Sequence, residues 1–245
     1  MTDSSLIPAD WQVPSDFRAR LGTSAGRQRI MVSDGELLIV AHQVPQRGES
    51  SRRGALFWRD KNGNWSASSG DKGHESIAHH LESYAKQIEE YFLQEGKAQR
   101  ADEYIPLVEG LAPVSRAARN LLAVLEEARD AIHGDRLLID YRDKAYEISR
   151  NAELLYDDLK NSMDIAVIRR AEEQAAASHK MSVTAHRLNV MAALFFPIAT
   201  LGAVFGTTLT DNWSWSKTEM PFLAFVGGGL VAGLLLAMII SRRTN

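Results

Sequence analysis

Cysteine is missing altogether from these 245 residues, which excludes disulfides, thiolate nucleophiles and thiolate metal sites. Catalytic signatures are missing too. There is no G-x-S-x-G, no phosphate-binding loop and no dinucleotide loop. The stretch Gly73-His74-Glu75 to His79-His80 fails as a zinc-hydrolase helix, because H-E-x-x-H needs its second histidine at position 78, which is Ala78. The chain is therefore not expected to be an enzyme or to require a cofactor. Neither sign of charge dominates: the net charge of −3 provides no basic field, and nucleic acid is not an expected partner. The first residues, MTDSSLIPADWQ, lack the basic and apolar regions of a secretory signal, so the polar part is expected in the cytoplasm.

Two stretches lack charge completely. Leu188 to Gly206 is 19 residues long and Met220 to Ile240 is 21, each close to the ~20 apolar residues that cross a ~30 Å hydrocarbon core. The mean hydropathy of −0.22 conceals this division, since sustained hydrophobicity is confined to the C-terminal quarter. The expectation is an antiparallel pair of membrane helices, 187–208 and 220–241, joined by an external loop at 209–219. Lys180 and Arg187 precede the first run and Arg242 and Arg243 follow the second, whereas the connector carries one Lys, one Asp and one Glu. The positive-inside rule then places both termini, including the basic tail 242–245, on the cytoplasmic side of a plasma (inner) membrane, with Trp213 and Trp215 at the outer interface.

The remainder reads as α+β. Residues 1 to about 26 have no sustained period and are expected to form a loose arm. Short β-runs follow: RQRIMV and ELLIVAHQV around Ser33-Asp34-Gly35, then GALFWRD and NWSAS around Lys61-Asn62-Gly63, giving two hairpins and a small antiparallel sheet. A helix is expected from about His74 to Glu95, with Ile77, Leu81, Tyr84, Ile88, Tyr91 and Phe92 at helical spacing and Gly96 at its end. Helical pattern resumes after Ala101, interrupted by Pro106 and Pro113, and runs to Gly134. Residues 1–134 thus form one α/β domain.

From Asp135 the apolar positions Leu138, Tyr141, Ala145, Ile148, Ala152, Leu155, Leu159, Ser162 and Ala166 alternate steps of three and four, which is a heptad seam. The preferred reading is a self-associating coiled-coil stalk over 135–186. The other is a face packed on the chain's own domain. No Gly or Pro separates the stalk from the first uncharged run, so one helix of 74 residues, on the order of 110 Å, is expected from Asp135 to Thr208.

The uncharged run with Pro197 in its middle and Phe205-Gly206 at its outer end resembles the first membrane helix of the CorA family of magnesium transporters. There a stalk helix becomes the first span, which ends in an aromatic-Gly-Met-Asn signature and is followed by a short loop, a second span and a basic tail. This chain reads Gly206-Thr207-Thr208 where the family reads Gly-Met-Asn. The match covers about Lys180 to Arg243. The resemblance implies a funnel-shaped homopentamer in the lipid bilayer, with the first spans lining a pore. It also implies a selectivity mouth at Gly206, Thr207 and Thr208, and pore-lining positions Ser182, Ala185, Leu188, Ala192, Phe196, Ala199 and Ala203. A ring of Phe196 would serve as a hydrophobic gate, or would simply pack between helices. Thr208 offers hydroxyl oxygens of shorter reach than the family's Asn, so strict magnesium selectivity is not implied.

The family also closes its pore when magnesium bridges acidic residues of neighbouring subunits. Asp157, Asp158 and Asp164 are the candidates for such a regulatory site, the alternative being a solvated charged face. A divalent cation such as Mg²⁺ is the transported or regulatory ion so implied. Asp211 and Asn212 would either concentrate cations at the mouth or be ordinary loop residues. His179 and His186, seven apart, share a helix face where imidazole rings would make the inner entrance pH-sensitive. The Gly229-x-x-x-Gly233 spacing permits close helix packing. Two functions follow: a CorA-like cation channel with altered selectivity, or a non-conducting membrane-anchored scaffold or sensor whose polar domain binds a soluble partner.

Overall fold

The computed structural model describes residues 6–49, 52–70, 73–205 and 220–242. The chain divides into two units, Met1–Ile168 and Arg169–Asn245.

The first unit is built on a four-stranded antiparallel meander, β1 (Arg29–Ser33), β2 (Glu36–His42), β3 (Gly54–Arg59) and β4 (Trp65–Ala67), in sequential order. Ser33 pairs with Glu36, leaving Asp34 and Gly35 as a two-residue loop, both at positive φ (50° and 80°). That is the combination the right-handed twist of a tight hairpin demands and the reason Asp-Gly stands there. At the next hairpin Asp60 Oδ1 accepts the backbone N–H groups of Asn62 and Asn64, both at 2.8 Å, and Gly63 takes φ +85°.

Every residue of β2 is buried, because the sheet is covered on both faces. One set of alternate side chains, Leu37, Ile39 and Ala41 with Ala55 and Phe57, joins the main core. The other set, Leu38, Val40, Leu56 and Met31, packs against Ile7, Trp11, Phe17 and Ala25. The N-terminal segment is therefore a packed layer and not the loose arm expected. It includes a short helix, α1 (Ser15–Arg20), and Arg18 Nη2 donates to the carbonyls of Pro8 (3.1 Å) and Trp11 (2.7 Å), closing the segment on itself. The Trp11 ring lies 5.8 Å from that of Trp58, whose Nε1 donates to the buried Glu36 carboxylate at 3.0 Å.

On the main-core face lie α2 (Glu75–Glu95), α3 (Ala101–Ala131) and the first part of α4 (Arg136–Phe205). The α2 positions expected to be apolar are buried except Phe92, which is 57% exposed. α3 continues through Pro106 and Pro113 without a break. The two missing N–H groups cost it two ladder bonds, but Leu107, Leu111, Val114 and Ala117 bury their side chains on one face and hold the helix against the sheet. At its start the Glu103 carboxylate accepts the N–H groups of Gln99 (2.8 Å) and Arg100 (3.1 Å).

The seam of α4 corrects the preferred reading of the sequence. Leu138, Tyr141, Ala145, Ile148, Ala152, Leu155 and Leu159 are all buried in the main core of their own chain. Their heptad spacing reflects packing of α4 on the helices of this domain. Ser162 and Ala166 beyond it are half-buried. Asp135 fixes the start of α4. Its Oδ1 accepts the Leu137 N–H at 3.0 Å as a cap and its Oδ2 accepts Arg59 Nε at 2.7 Å, tying the helix to β3 through a largely buried ion pair. Tyr141 donates to the His74 carbonyl at 2.6 Å, and burial, with Asp135 and Asp140 nearby, pushes its hydroxyl up to about 12.

The second unit contains the remainder of α4 and α5 (Met220–Arg242). Among the described residues no helix is long and apolar enough to cross a membrane.

Candidate functional site

The site the sequence points to lies along α4 within the second unit. α4 carries no glycine or proline until Pro197, and the helix runs on through that residue. Thr200 Oγ1 donates to the Phe196 carbonyl at 2.8 Å beside it. At ~100° per residue, Val190, Ala193, Leu194, Pro197, Ile198 and Leu201 fall on one side of the helix. All six are half-buried or buried, Ala193 most completely at 8% exposure.

α5 covers that side. A Cβ on Gly229 would stand 3.0 Å from Ile198 Cγ1, and one on Gly233 would stand 2.9 Å from the Leu194 carbonyl oxygen and 3.1 Å from its Cα. From α4, a Cβ on Gly202 would meet the Phe225 ring at 3.5 Å. The two helices therefore approach at backbone distance, which the spacing of Gly229 and Gly233 anticipates. Gly227 and Gly228 face open space and have no such role.

Of the positions that the family resemblance assigned to a pore, Ala185 to Ala203 fall on the opposite side of α4 and Ser182 stands at its edge. Ser182, Ala185, Leu188, Phe196, Ala199 and Ala203 are exposed and Ala192 is half-buried. Leu188 is 57% exposed and Phe196 68%. These seven share one stripe, bare in the single chain. His179 and His186 do share a face, about 60° and 40° from Ser182 and offset from the rest of the stripe towards the side that carries Val190 and Pro197. Gly206, Thr207, Thr208, Asp211, Asn212, Trp213 and Trp215 lie outside the described residues, as do the loop 209–219 and residues 243–245 of the tail.

The acidic candidates stand apart in the first unit. Asp157, Asp158 and Asp164 are all exposed on α4. Asp157 and Asp164 lie on one face and Asp158 about 100° from it. Sequence reasoning missed the neighbour of Asp158: the Glu95 carboxyl at the end of α2 is pushed above its ordinary range by burial and then by the Asp158 charge. Only the packing of α2 on α4 creates that proximity, so no local signal announced it. Among the described residues no three His, Cys, Asp or Glu side chains converge to hold a metal ion.

No family profile and no curated protein sequence matches the chain. Solved structures do. The fold matches that of the CorA magnesium transporter from Methanocaldococcus jannaschii with a TM-score of 0.51 at 12% identity, over 89% of this chain and 80% of that one. The fold is CorA-like. A second match is the full-length CmaX protein, with a TM-score of 0.48 and 14% identity over 95% of this chain and 83% of that one. The small antiparallel sheet followed by a long helix is the CorA-like arrangement the sequence led one to expect.

Proposed function

We propose that this chain is a CorA-like membrane cation channel, a homopentamer whose α4 helices line a central pore with altered ion selectivity. The observation that carries the proposal is the two-sidedness of α4 in the second unit. α5 packs through Gly229 and Gly233 on one side, and the stripe from Ser182 to Ala203 on the other is bare, as a pore-lining face of a single protomer would be. A CorA-like fold accommodates that arrangement.

The apolar hairpin has the chemistry of a bilayer segment. Phe195, Phe196, Leu223, Val231, Leu234, Leu235 and Met238 are each more than half exposed, an apolar surface too continuous for water. The uncharged runs of 19 and 21 residues have the length of spans, and the basic residues flanking them place both termini in the cytoplasm of a plasma-membrane protein. With no ionisable group in either run, the pore passes hydrated ions or closes by dewetting, with Phe196 as the narrowest apolar ring. Gly206, Thr207 and Thr208 form the mouth. In the sequence Thr208 takes the place of the family's Asn, and its hydroxyl has a shorter reach than an amide towards the water around a divalent ion, which relaxes the preference for Mg²⁺. Asp158 with Glu95, and Asp157 and Asp164, form the acidic surface on which a regulatory cation acts.

A second reading, a non-conducting anchored scaffold or sensor with a soluble partner, draws on one observation: Leu188 and Phe196 make the bare stripe more apolar than an ion path requires.

Flux of Mg²⁺, Co²⁺, Na⁺ and K⁺ into liposomes carrying the purified chain separates the two. Flux by the native protein, shifted towards Mg²⁺ by Thr207→Met with Thr208→Asn, is the expected result. Silence of both proteins, with the oligomer intact, would discard conduction.

A further inference from the structure

A cleft of about 420 Å³ opens in the first unit where the beginning of α2 crosses the end of the sheet, within the size range of small-molecule sites. Among the described residues none of its lining is acidic, whereas Arg53, His79, His80 and Ser68 all face it. Val44, Ala55 and Ala67 line another part, so the cleft has a polar and an apolar component.

The hydrogen bonds already made decide which donors of the cleft remain available. Ser76 and Ser83 already donate their hydroxyls, to the Gly73 carbonyl (2.9 Å) and the His80 carbonyl (2.6 Å). Ser68 Oγ accepts the Leu56 N–H at 3.0 Å, which leaves its hydroxyl hydrogen to donate. The His80 ring is held by the rings of Phe57 and Tyr84, 5.2 Å and 5.5 Å away centre to centre, and its buried Nε2 has no hydrogen-bond partner. Burial keeps this imidazole neutral, with a pKa lowered to about 4, so it brings a hydrogen bond and not a charge. The charge comes from Arg53. Its Nε pairs with Glu49 at 2.9 Å, a partly exposed contact that leaves the other guanidinium donors open. Ser76 belongs to the first turn of the 21-residue α2, whose N-terminal end favours anions.

We propose that this cleft binds an organic phosphate of mononucleotide size. The phosphate lies against Arg53, Ser68 and His79, and the uncharged part against Val44, Ala55 and Ala67. Several separately mounted donors suit the three terminal oxygens of a phosphate monoester. With two adjacent histidines and no carboxylate among the described residues, the same lining is a poor metal site. This assignment does not depend on whether the chain conducts ions.

The test is calorimetric titration of the full chain in detergent with AMP, ribose 5-phosphate and phenyl phosphate. Adenosine, ribose, phenol, benzoate and inorganic phosphate serve as the paired controls. At least one ester should bind about tenfold or more tighter than its dephosphorylated partner and than inorganic phosphate or benzoate. Arg53→Gln should weaken that ester about tenfold. Ser83→Leu, which fills the cleft from α2, should abolish binding while the melting temperature stays near that of the native chain. The proposal is overturned if no ester binds at millimolar concentration. It is also overturned if a neutral partner, benzoate or inorganic phosphate binds as tightly, or if both variants keep native affinity.

Discussion

At the scale of single residues, two side chains hold more of the first unit than their polarity suggests. Asp135 caps α4 and neutralises Arg59 at once, so Asp135→Ala removes a cap and leaves a largely buried guanidinium unpaired. The expected loss is about 2–4 kcal/mol, read as a lowered thermal midpoint. Asp135→Asn, which still caps but carries no charge, should lose clearly less, and equal losses would show that the cap contributes little. His80 bears on acid stability. Its folded pKa is lowered by burial to about 4 from an ordinary 6.5, so the unfolded chain binds the proton more readily. Stability is then intact above the ordinary value and lost as pH falls from about 6.5 towards 4, by about 2 kcal/mol at pH 5. His42, lowered chiefly by burial as well, acts in the same direction. Denaturation midpoints at pH 7 and pH 5 should converge in His80→Phe; an unchanged gap would place the acid sensitivity elsewhere. Neither role was legible in the sequence. Asp135 read only as the start of a helix, and His80 only as part of a failed zinc motif, because both functions depend on partners far along the chain.

The elements themselves were more legible. Asp34-Gly35 and Asn62-Gly63 marked both hairpins because positive φ leaves few residue choices, and Gly229 and Gly233 marked the side of α5 that meets α4. Gly233→Val should therefore force the helices apart, costing about 1–3 kcal/mol by overpacking and exposing the hairpin to limited proteolysis in detergent. Gly228→Val, which meets open space, should leave the digestion pattern native, and matching patterns for the two variants would contradict the packing. Three elements misled. Ile7, Trp11 and Phe17 follow no period, so the N-terminal layer looked like an arm although all three are buried. Pro106 and Pro113 looked like breaks, but tertiary burial of α3 outweighs two absent hydrogen bonds. The seam of α4 was seen correctly and its partner misjudged, since a seven-residue repeat states which face is buried and not which chain buries it.

For the whole molecule, the assigned pore face gives the most direct test, and the absence of cysteine makes it clean. Single substitutions Ala199→Cys and Ala203→Cys, on the bare stripe of α4, should yield oxidised dimers in liposomes. Gly229→Cys, facing its own α4, should yield far fewer. Equal yields from the two faces would remove α4 from the centre of an assembly. The extent of the main core has a further consequence for biosynthesis. Its last member along the chain is Leu159, well before the uncharged run that opens at Leu188. Every residue needed to close the sheet, both helices over it and the head of α4 has been made before the first apolar segment is translated. Because domains tend to fold from the N-terminus as synthesis proceeds, the first unit can close its core while the uncharged runs are still being made, since no described residue after Leu159 belongs to that core.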